Sequence, residues 1–419
     1  MKRTLLSIIS AGLVATAVHA QDNSNPMDTL TQSVMKMQSD VNALKKIKIS
    51  GYVQSQFQWA DSAGIKSFAG GDFPTGVDKR FKVRRAEFKT MYDNGTTQVV
   101  ANIDITQNGV NIKDAYGKLT EPWLRTFSLT AGIFNRPFGW EVPTSSSLLE
   151  SPERSRVVQT LFPGERDCGA MITFQRPSTS PLNPLKVEAG WFNGTGNNVN
   201  DFDFQKDFIG NIHWAKASKN EKVKYSFGVD YYSGGWVNQT KYVWSVVDTA
   251  FKVDSTTTNK GTASKRTYIG ADFQLSFAWA PGVTTIRGEY IQGQQPGTSS
   301  SSTSPSAAPT TDTYVRQFTG AYFYFLQNIM QTKHQLIVKY DWYDPNTKIA
   351  GDAIKSSNKF SSTDVRYTTI GLGWIYHWDA NVKIVAYWDM VTNETSAKLN
   401  GFHKDIKDNV FTLRVQYKF

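Results

Sequence analysis

From Ile47 to the last residue, apolar and polar side chains alternate with a period of two, the spacing of a strand whose two faces meet different surroundings. In Val223, Tyr225, Phe227, Val229 and Tyr231 one face is wholly apolar, while Lys222, Lys224, Ser226, Gly228 and Asp230 fill the other. The division recurs in Ile269, Ala271, Phe273, Leu275, Phe277 and Trp279, again in Ile370, Leu372, Trp374, Tyr376 and Trp378, and again in Val382, Ile384, Ala386, Trp388 and Met390. Read along the chain, it predicts sixteen strands: 47–59, 80–93, 96–106, 111–120, 125–134, 166–176, 184–192, 207–217, 221–232, 266–280, 282–293, 313–326, 331–344, 365–378, 380–392 and 410–419.

The connections alternate in length. Tight turns fall at 94–95, 121–124, 218–220, 281–282, 327–330 and 379, with a slightly longer proline-rich one at 177–183. Long connections run 60–79, 135–165, 193–206, 233–265, 294–312, 345–364 and 393–409; the second, 107–110, is short where a long one is due. The 294–311 stretch, rich in Ser, Thr, Pro and Gly, reads as a flexible external loop. Short turns on one rim, long loops on the other and an even strand count are the layout of an outer-membrane barrel. A charge held mid-bilayer on a lipid-facing side costs roughly 2–4 kcal/mol, so the polar set of each strand is expected inside, around a wet lumen. The fold class expected is all-β: a 16-stranded antiparallel transmembrane β-barrel with a short N-terminal periplasmic helix and an inward-folded third extracellular loop.

Ahead of the strands the pattern changes. Lys2 and Arg3 precede an apolar stretch ending at Val18-His19-Ala20, a secretory signal over 1–20. No cysteine follows that site to carry a lipid. In 21–46, Leu30, Val34, Met37, Val41 and Leu44 recur at heptad spacing on a short helix opened by Pro26 and Asp28. A helix so short needs a partner; either copies from neighbouring subunits, as a trimeric coiled coil, or its own barrel would supply one. The barrel then occupies 47–419.

Composition agrees. The chain has 12 Trp, 18 Tyr and 25 Phe, and Trp59, Trp191, Trp214, Trp279, Trp342, Trp378 and Trp388 sit near strand ends, where interfacial girdles lie. A single cysteine, Cys168, rules out an internal disulfide. Lys and Arg number 46 against 36 Asp and Glu, spread along strands instead of gathered in a run; that argues against nucleic acid and for anionic solutes. The last strand ends on Phe411, Leu413, Val415, Tyr417 and Phe419, an alternating strand with a terminal aromatic such as the barrel-assembly machinery recognises.

The connection 135–165 has structure of its own. Ser151, Pro152 and Glu153 read as the start of a helix running to about Leu161. On it Val157, Val158, Leu161 and Phe162 share a face that would pack on the inner wall and aim Arg156 at the lumen. With Arg136, Arg154 and Arg166, and with Arg80 and Arg84 from the second strand, it forms the candidate constriction and anion-binding set. A guanidinium attracts an anion 4 Å away by about 4 kcal/mol at an effective dielectric near 20. A file of such groups favours anions while each site stays weak enough to release them. Alternatively these arginines pair with Glu141, Glu150, Glu153, Glu165 and Asp167 and brace the loop, Arg154 being the leading candidate for a brace because it falls on the apolar side. In the second strand, Phe81 and Val83 share a face with Arg85 and Glu87. Either a bulge shifts the register after Val83, or that wall faces another subunit.

At these residues the chain resembles the phosphate-selective porin O and P family, in a form like that of Bacteroidetes. The matching residues are Arg84-Arg85-Ala86, Asp114-Ala115-Tyr116, Pro137-Phe138-Gly139, Glu153-Arg154-Ser155, and Arg166-Asp167 with Gly169. The resemblance implies a homotrimer of sixteen-stranded barrels in the bacterial outer membrane, an arginine ladder, and lysines gathered in the vestibule. Lys66, Lys79 and Lys82 are scattered here, so a general or anion-preferring diffusion pore for small hydrophilic solutes is expected, with phosphate-type anions among them.

Other classes fare worse. The mature histidines, His213, His334, His377 and His403, stand apart, without a serine nucleophile context or a metal-ligand spacing, so no enzyme, metal or cofactor is expected. An energised receptor would need a plug domain that the 26 residues before Ile47 cannot form. A surface adhesin or a substrate-specific uptake channel is the alternative, the Ser/Thr-rich loops suiting the former.

Overall fold

The computed structural model describes residues 26–197 and 199–419. The signal expected at 1–20 lies outside the described residues. By itself, the segment before the barrel is a single helix, α1 (Pro26–Leu44), on which Val34, Met37, Val41 and Leu44 are exposed.

The second unit, Ile47–Phe419, is built from β1 (Ile47–Ala60), β2 (Lys79–Asp93), β3 (Thr97–Thr106), β4 (Gly109–Thr120), β5 (Phe127–Asn135) and β6 (Arg166–Gln175). There follow β7 (Leu185–Phe192), β8 (Asp207–Ala217), β9 (Val223–Val237), β10 (Val243–Val247), β11 (Ala250–Asp254) and β12 (Ala263–Trp279). The last are β13 (Gly282–Gly297), β14 (Thr313–Asn328), β15 (His334–Asp344), β16 (Tyr367–His377), β17 (Val382–Asn393) and β18 (Val410–Lys418). All but β10 and β11 form one closed antiparallel ring of sixteen: each strand pairs with the next, β9 pairs with β12, and β18 returns to β1 through Tyr52↔Lys418 to Ala60↔Val410. The sixteen predicted strands are all present, and the connection between β3 and β4 is as tight as the sequence suggested.

The main departure lies between β9 and β12. Both run further toward the long-loop rim than expected, and between them β10 and β11 form a hairpin that turns at Asp248, whose φ is 54°. β10 lies parallel to the end of β14, Val243 opposite Thr313. The residues VWSVV and AFKVD have the β-branched and aromatic content of strands. Phe251, Tyr314, Ile354, Phe360 and Phe402 form a small apolar core that ties this hairpin to the loops after β15 and β17.

The outer face is apolar and exposed, as at Phe227, Ile269, Leu372 and Trp374. The inner face is not uniformly polar. Gln54, Gln56, Arg85, Glu87 and Asp114 are buried inside the early strands, whereas Ile209, Tyr232, Tyr268, Ile291, Phe318, Tyr322 and Tyr324 are buried inside the later ones, in one cluster with Phe138, Val157, Val158, Leu161 and Phe162. The apolar side chains of 135–165 need such a partner, and these strands supply it.

Two bulges re-aim charge. Between β1 and β2 the partner of Gln54 is Arg85 and that of Ser55 is Val83, so Arg84 is the extra residue. Between β3 and β4 the partner of Asn102 is Asp114 and that of Ile103 is Ile112, which makes Lys113 extra. An inserted residue reverses the parity of all that follow it. Phe81 therefore faces out while Arg85 and Glu87 face in, which resolves the awkward second strand in favour of a bulge.

Candidate functional site

Side chains from strands all around the ring converge on the segment 135–165. The backbone N–H of Gly139 donates to Asp230 Oδ1 (2.9 Å), that of Trp140 to Glu289 Oε2 (2.9 Å) and that of Glu141 to the Tyr322 hydroxyl (3.1 Å). Tyr324 donates to Glu141 Oε1 (2.8 Å), and Lys339 Nζ stands 3.7 Å from the same oxygen. From the other side, Gln54 donates to Ser146 O, Lys383 to Ser147 O and Leu149 O, and Arg414 to Pro152 O (2.8 Å). Arg84 closes the circuit as a fork on Glu153, both contacts 2.7 Å.

The segment's fold follows from its residues. At Gly139 φ is 59°, a conformation glycine adopts freely, and it lets Phe138 turn fully into the apolar cluster. Two glycines of the wall make room: a Cβ at Gly270 would lie 2.9 Å from the Phe138 ring, and one at Gly320 would lie 2.7 Å from Val157. The helix, α2 (Arg156–Leu161), starts at Ser155 and not at Ser151. Ser151 instead bonds Glu153 O (2.7 Å) and the Tyr324 hydroxyl (2.7 Å), and Glu153 is taken by arginines. Tertiary partners outcompete the local cap.

Below the helix the charges form one network around Glu165, itself at a φ of 62°. Its Oε1 lies 2.8 Å from Arg154 and 3.6 Å from Arg85; its Oε2 lies 2.9 Å from Arg166 and 3.4 Å from Lys113. Arg166 continues to Asp114 (3.1 Å) and Arg85 to Glu87 (3.3 Å), while Asn102 donates to both of those acids. Burial by itself would raise the Glu153 carboxyl, but the Arg84 guanidinium, and after it Arg414, hold it at about 2. Glu165 is likewise kept well below the usual carboxylate range against its burial, by Arg154, Lys113, Arg85 and Arg166.

The predicted arginines thus divide. Arg154 and Arg166 belong to the network around Glu165, and Arg84 to the fork on Glu153. Arg80 bonds Gln58 Oε1 (3.0 Å) and Gly70 O (2.8 Å) and lies over Phe73. Arg136 is fully buried, capping Pro163 O (3.2 Å) and Glu165 O (3.4 Å). Arg156 stands apart, its guanidinium carbon 3.6 Å from the centre of the Tyr367 ring. Sequence reasoning missed Lys113 and Arg414 and did not assign Arg85 or Lys82 to the site. The signal for Lys113 was present as a parity change, since Ile112 faces out but so do Ala115, Gly117 and Leu119. A further set, Lys89, Lys118 and Lys186, lines a cavity of about 370 Å³ toward the short-turn rim. Three strands distant in sequence bring together lysines that look scattered along the chain.

The model of the family "phosphate-selective porin O and P" matches residues 70–419, the ring and the site together. The chain belongs to that family. It is an outer-membrane porin, a barrel for passive diffusion. A sequence comparison with curated proteins returns no match. Among solved structures the porin is similar to the outer membrane channel DcaP of Acinetobacter baumannii, at 12% identity and a TM-score of 0.52 over 89% of this chain and 97% of that one. It is also similar to Salmonella typhi OmpF in complex with daunomycin, at 9% identity and a TM-score of 0.52, with the same coverage. At such identities the likeness is one of fold.

Proposed function

We propose that this porin is an anion-preferring channel for small hydrophilic solutes, narrowed by an inward-folded 135–165 segment, with the solute path along the wall of β1 to β6. The observation that carries the reading is the file of cations on one bulged strand. Arg80, Lys82, Arg84 and Arg85 succeed one another along β2. Of these, Arg84 and Arg85 are ion-paired, while Arg80 and Lys82 meet only carbonyl and amide oxygens among the described residues. A cavity of about 220 Å³ beside Arg84 and Arg85, and the lysine-lined cavity beyond, supply space along the same side. Cations at close quarters in a confined, low-dielectric passage select by sign far more strongly than exposed ones do. Phosphate-type anions fit the arginine and lysine chemistry.

The functional unit we infer is a homotrimer embedded in outer-membrane lipid, delivered by the barrel-assembly machinery through its terminal Phe419 strand. The exposed seam of α1 suits a three-stranded coiled coil between subunits. Reconstitution in a planar bilayer tests the central reading. Under a salt gradient the reversal potential should take the sign of an anion-selective pore, and a cation-selective or non-conducting barrel would overturn it.

A further inference from the structure

We propose that the outer vestibule holds a binding site for hydroxylated organic anions, sugars that carry a phosphate or a carboxylate, with Arg156 as its anchor. The inference rests on the channel reading and names a solute class for it. A cavity of about 580 Å³ opens between the loop after β1, the helix α2, the Ser-rich stretch 300–303 and the loop before β16. Pockets of 300–1,000 Å³ are those that enclose small organic ligands; a bare inorganic oxyanion would leave most of this one empty.

Arg156 differs in kind from the cations deeper in the barrel. Those around Glu153 and Glu165 are tied to acids, and Arg80, Lys82 and Arg136 to carbonyl or amide oxygens, whereas Arg156 makes no ion pair among the described residues, and Asp408 and Asp341 act on it only at longer range. Its guanidinium is held instead by rings, 3.6 Å from the Tyr367 centroid and 4.5 Å from that of Phe68. Its Nε is shut away from solvent and has no hydrogen-bond partner among the described residues. Ring stacking fixes a guanidinium's plane but leaves its edge donors and most of its charge for an oxyanion. The Tyr343 hydroxyl, on a residue 3% exposed, lines the same cavity beside Ser302. Ser301, Thr303, Ser362 and Thr363 add hydroxyls, each able to donate and accept, which matches a polyol better than it matches a simple ion. An anchor for charge, a shell for hydroxyls and a volume for a sugar ring coincide in one place.

The test uses the full-length porin in a planar bilayer, with glucose 6-phosphate, glucuronate, glucose or inorganic phosphate added on the long-loop side. Glucose 6-phosphate and glucuronate should interrupt the current at concentrations about tenfold or more below those needed for glucose or phosphate, the size of one charge-assisted hydrogen bond. The Arg156→Gln variant, shown to be assembled by its heat-modifiable migration, should lose that difference. Tyr367→Leu, which strips one ring from the guanidinium, should shrink it and gives a second reading should Arg156→Gln not assemble. Equal block by inorganic phosphate, equal block by glucose, or an unchanged difference in Arg156→Gln would overturn the proposal while leaving the channel intact. A wild-type barrel that fails to conduct would overturn the channel reading and this inference with it.

Discussion

Along β9, β12, β13 and β14 the inner wall meets the segment 135–165 mainly through rings. The rings of Phe138 and Phe162 meet at a tilt with centroids 4.9 Å apart and reach Tyr232 and Tyr268 at 5.9 to 6.5 Å. Along β2, β4 and β6 it meets the same segment through charge, with Glu153 and Glu165 gathering Arg84, Arg85, Lys113, Arg154 and Arg166. The packed side buries apolar area and so contributes stability, and its buried acids Asp230 and Glu289 are met by backbone N–H groups of the segment. On the charged side each ion loses hydration that its partners only roughly restore, so the network contributes little net stability and fixes geometry instead. One wall holds the segment in place through rings; the other is the wall proposed to select the ions that pass beside it.

Four changes would break or sharpen that contrast. The largest effect is expected from Phe138→Ala, which empties the centre of the packed side. A buried Phe→Ala change costs about 3–5 kcal/mol, so the urea midpoint of the reconstituted barrel should fall and its conductance rise as the segment loosens. An unchanged midpoint would show that the rings do not carry the docking. Next, Glu165→Gln withdraws the shared acid from four cations. Removing one member of a buried ion network costs about 3 kcal/mol, yet anion selectivity should increase, and a reversal potential moving toward cations would contradict the role given to this wall.

The third test is pH. Glu153 is held at about 2 against an ordinary value of 4.5. A depressed folded-state pKa contributes stability that is complete above the unfolded value and disappears as pH falls through the folded one. The difference in melting between wild type and Glu153→Gln should be the same at pH 7 and pH 5.5, shrinking below about pH 4.5 and nearly vanishing around pH 2; a difference that already shrinks between 7 and 5.5 would assign the stability to other groups. The smallest effect on stability is expected of the double change Arg80→Gln with Lys82→Gln, about 1 kcal/mol or less because neither residue is ion-paired. The anion-to-cation permeability ratio should nevertheless fall severalfold, and an unaltered ratio would move the solute path away from β2.

Much of this was legible along the chain. Strands such as 223–231 and 368–378 declare themselves because lipid on one side and a closed interior on the other force a strict alternation. The same argument located the interruption at Phe81 to Glu87, because an apolar residue and an arginine cannot share a lipid-facing row without a bulge. The β10–β11 hairpin was missed because its strands are short and lie among the loops, joined to the ring only at the start of β14, where no lipid imposes a pattern. The helix start was placed at Ser151 because capping statistics weigh only neighbours in sequence, while Ser151 and Glu153 answer to Tyr324 and Arg84.

By itself, then, the sequence determined a ring of sixteen antiparallel strands and the faces of most of them, since each of these is set by residues a few positions apart. Only the tertiary structure decided which arginines are bound to acids and which are left to rings. It alone showed that Arg136 is sealed among carbonyls while Arg156 faces a cavity, and that Lys113 enters the site through a bulge. The physical reason is that a charge is neutralised by whatever lies within a few ångströms of it in space, and in a closed barrel those neighbours come from strands as far apart in sequence as Arg84 and Arg414.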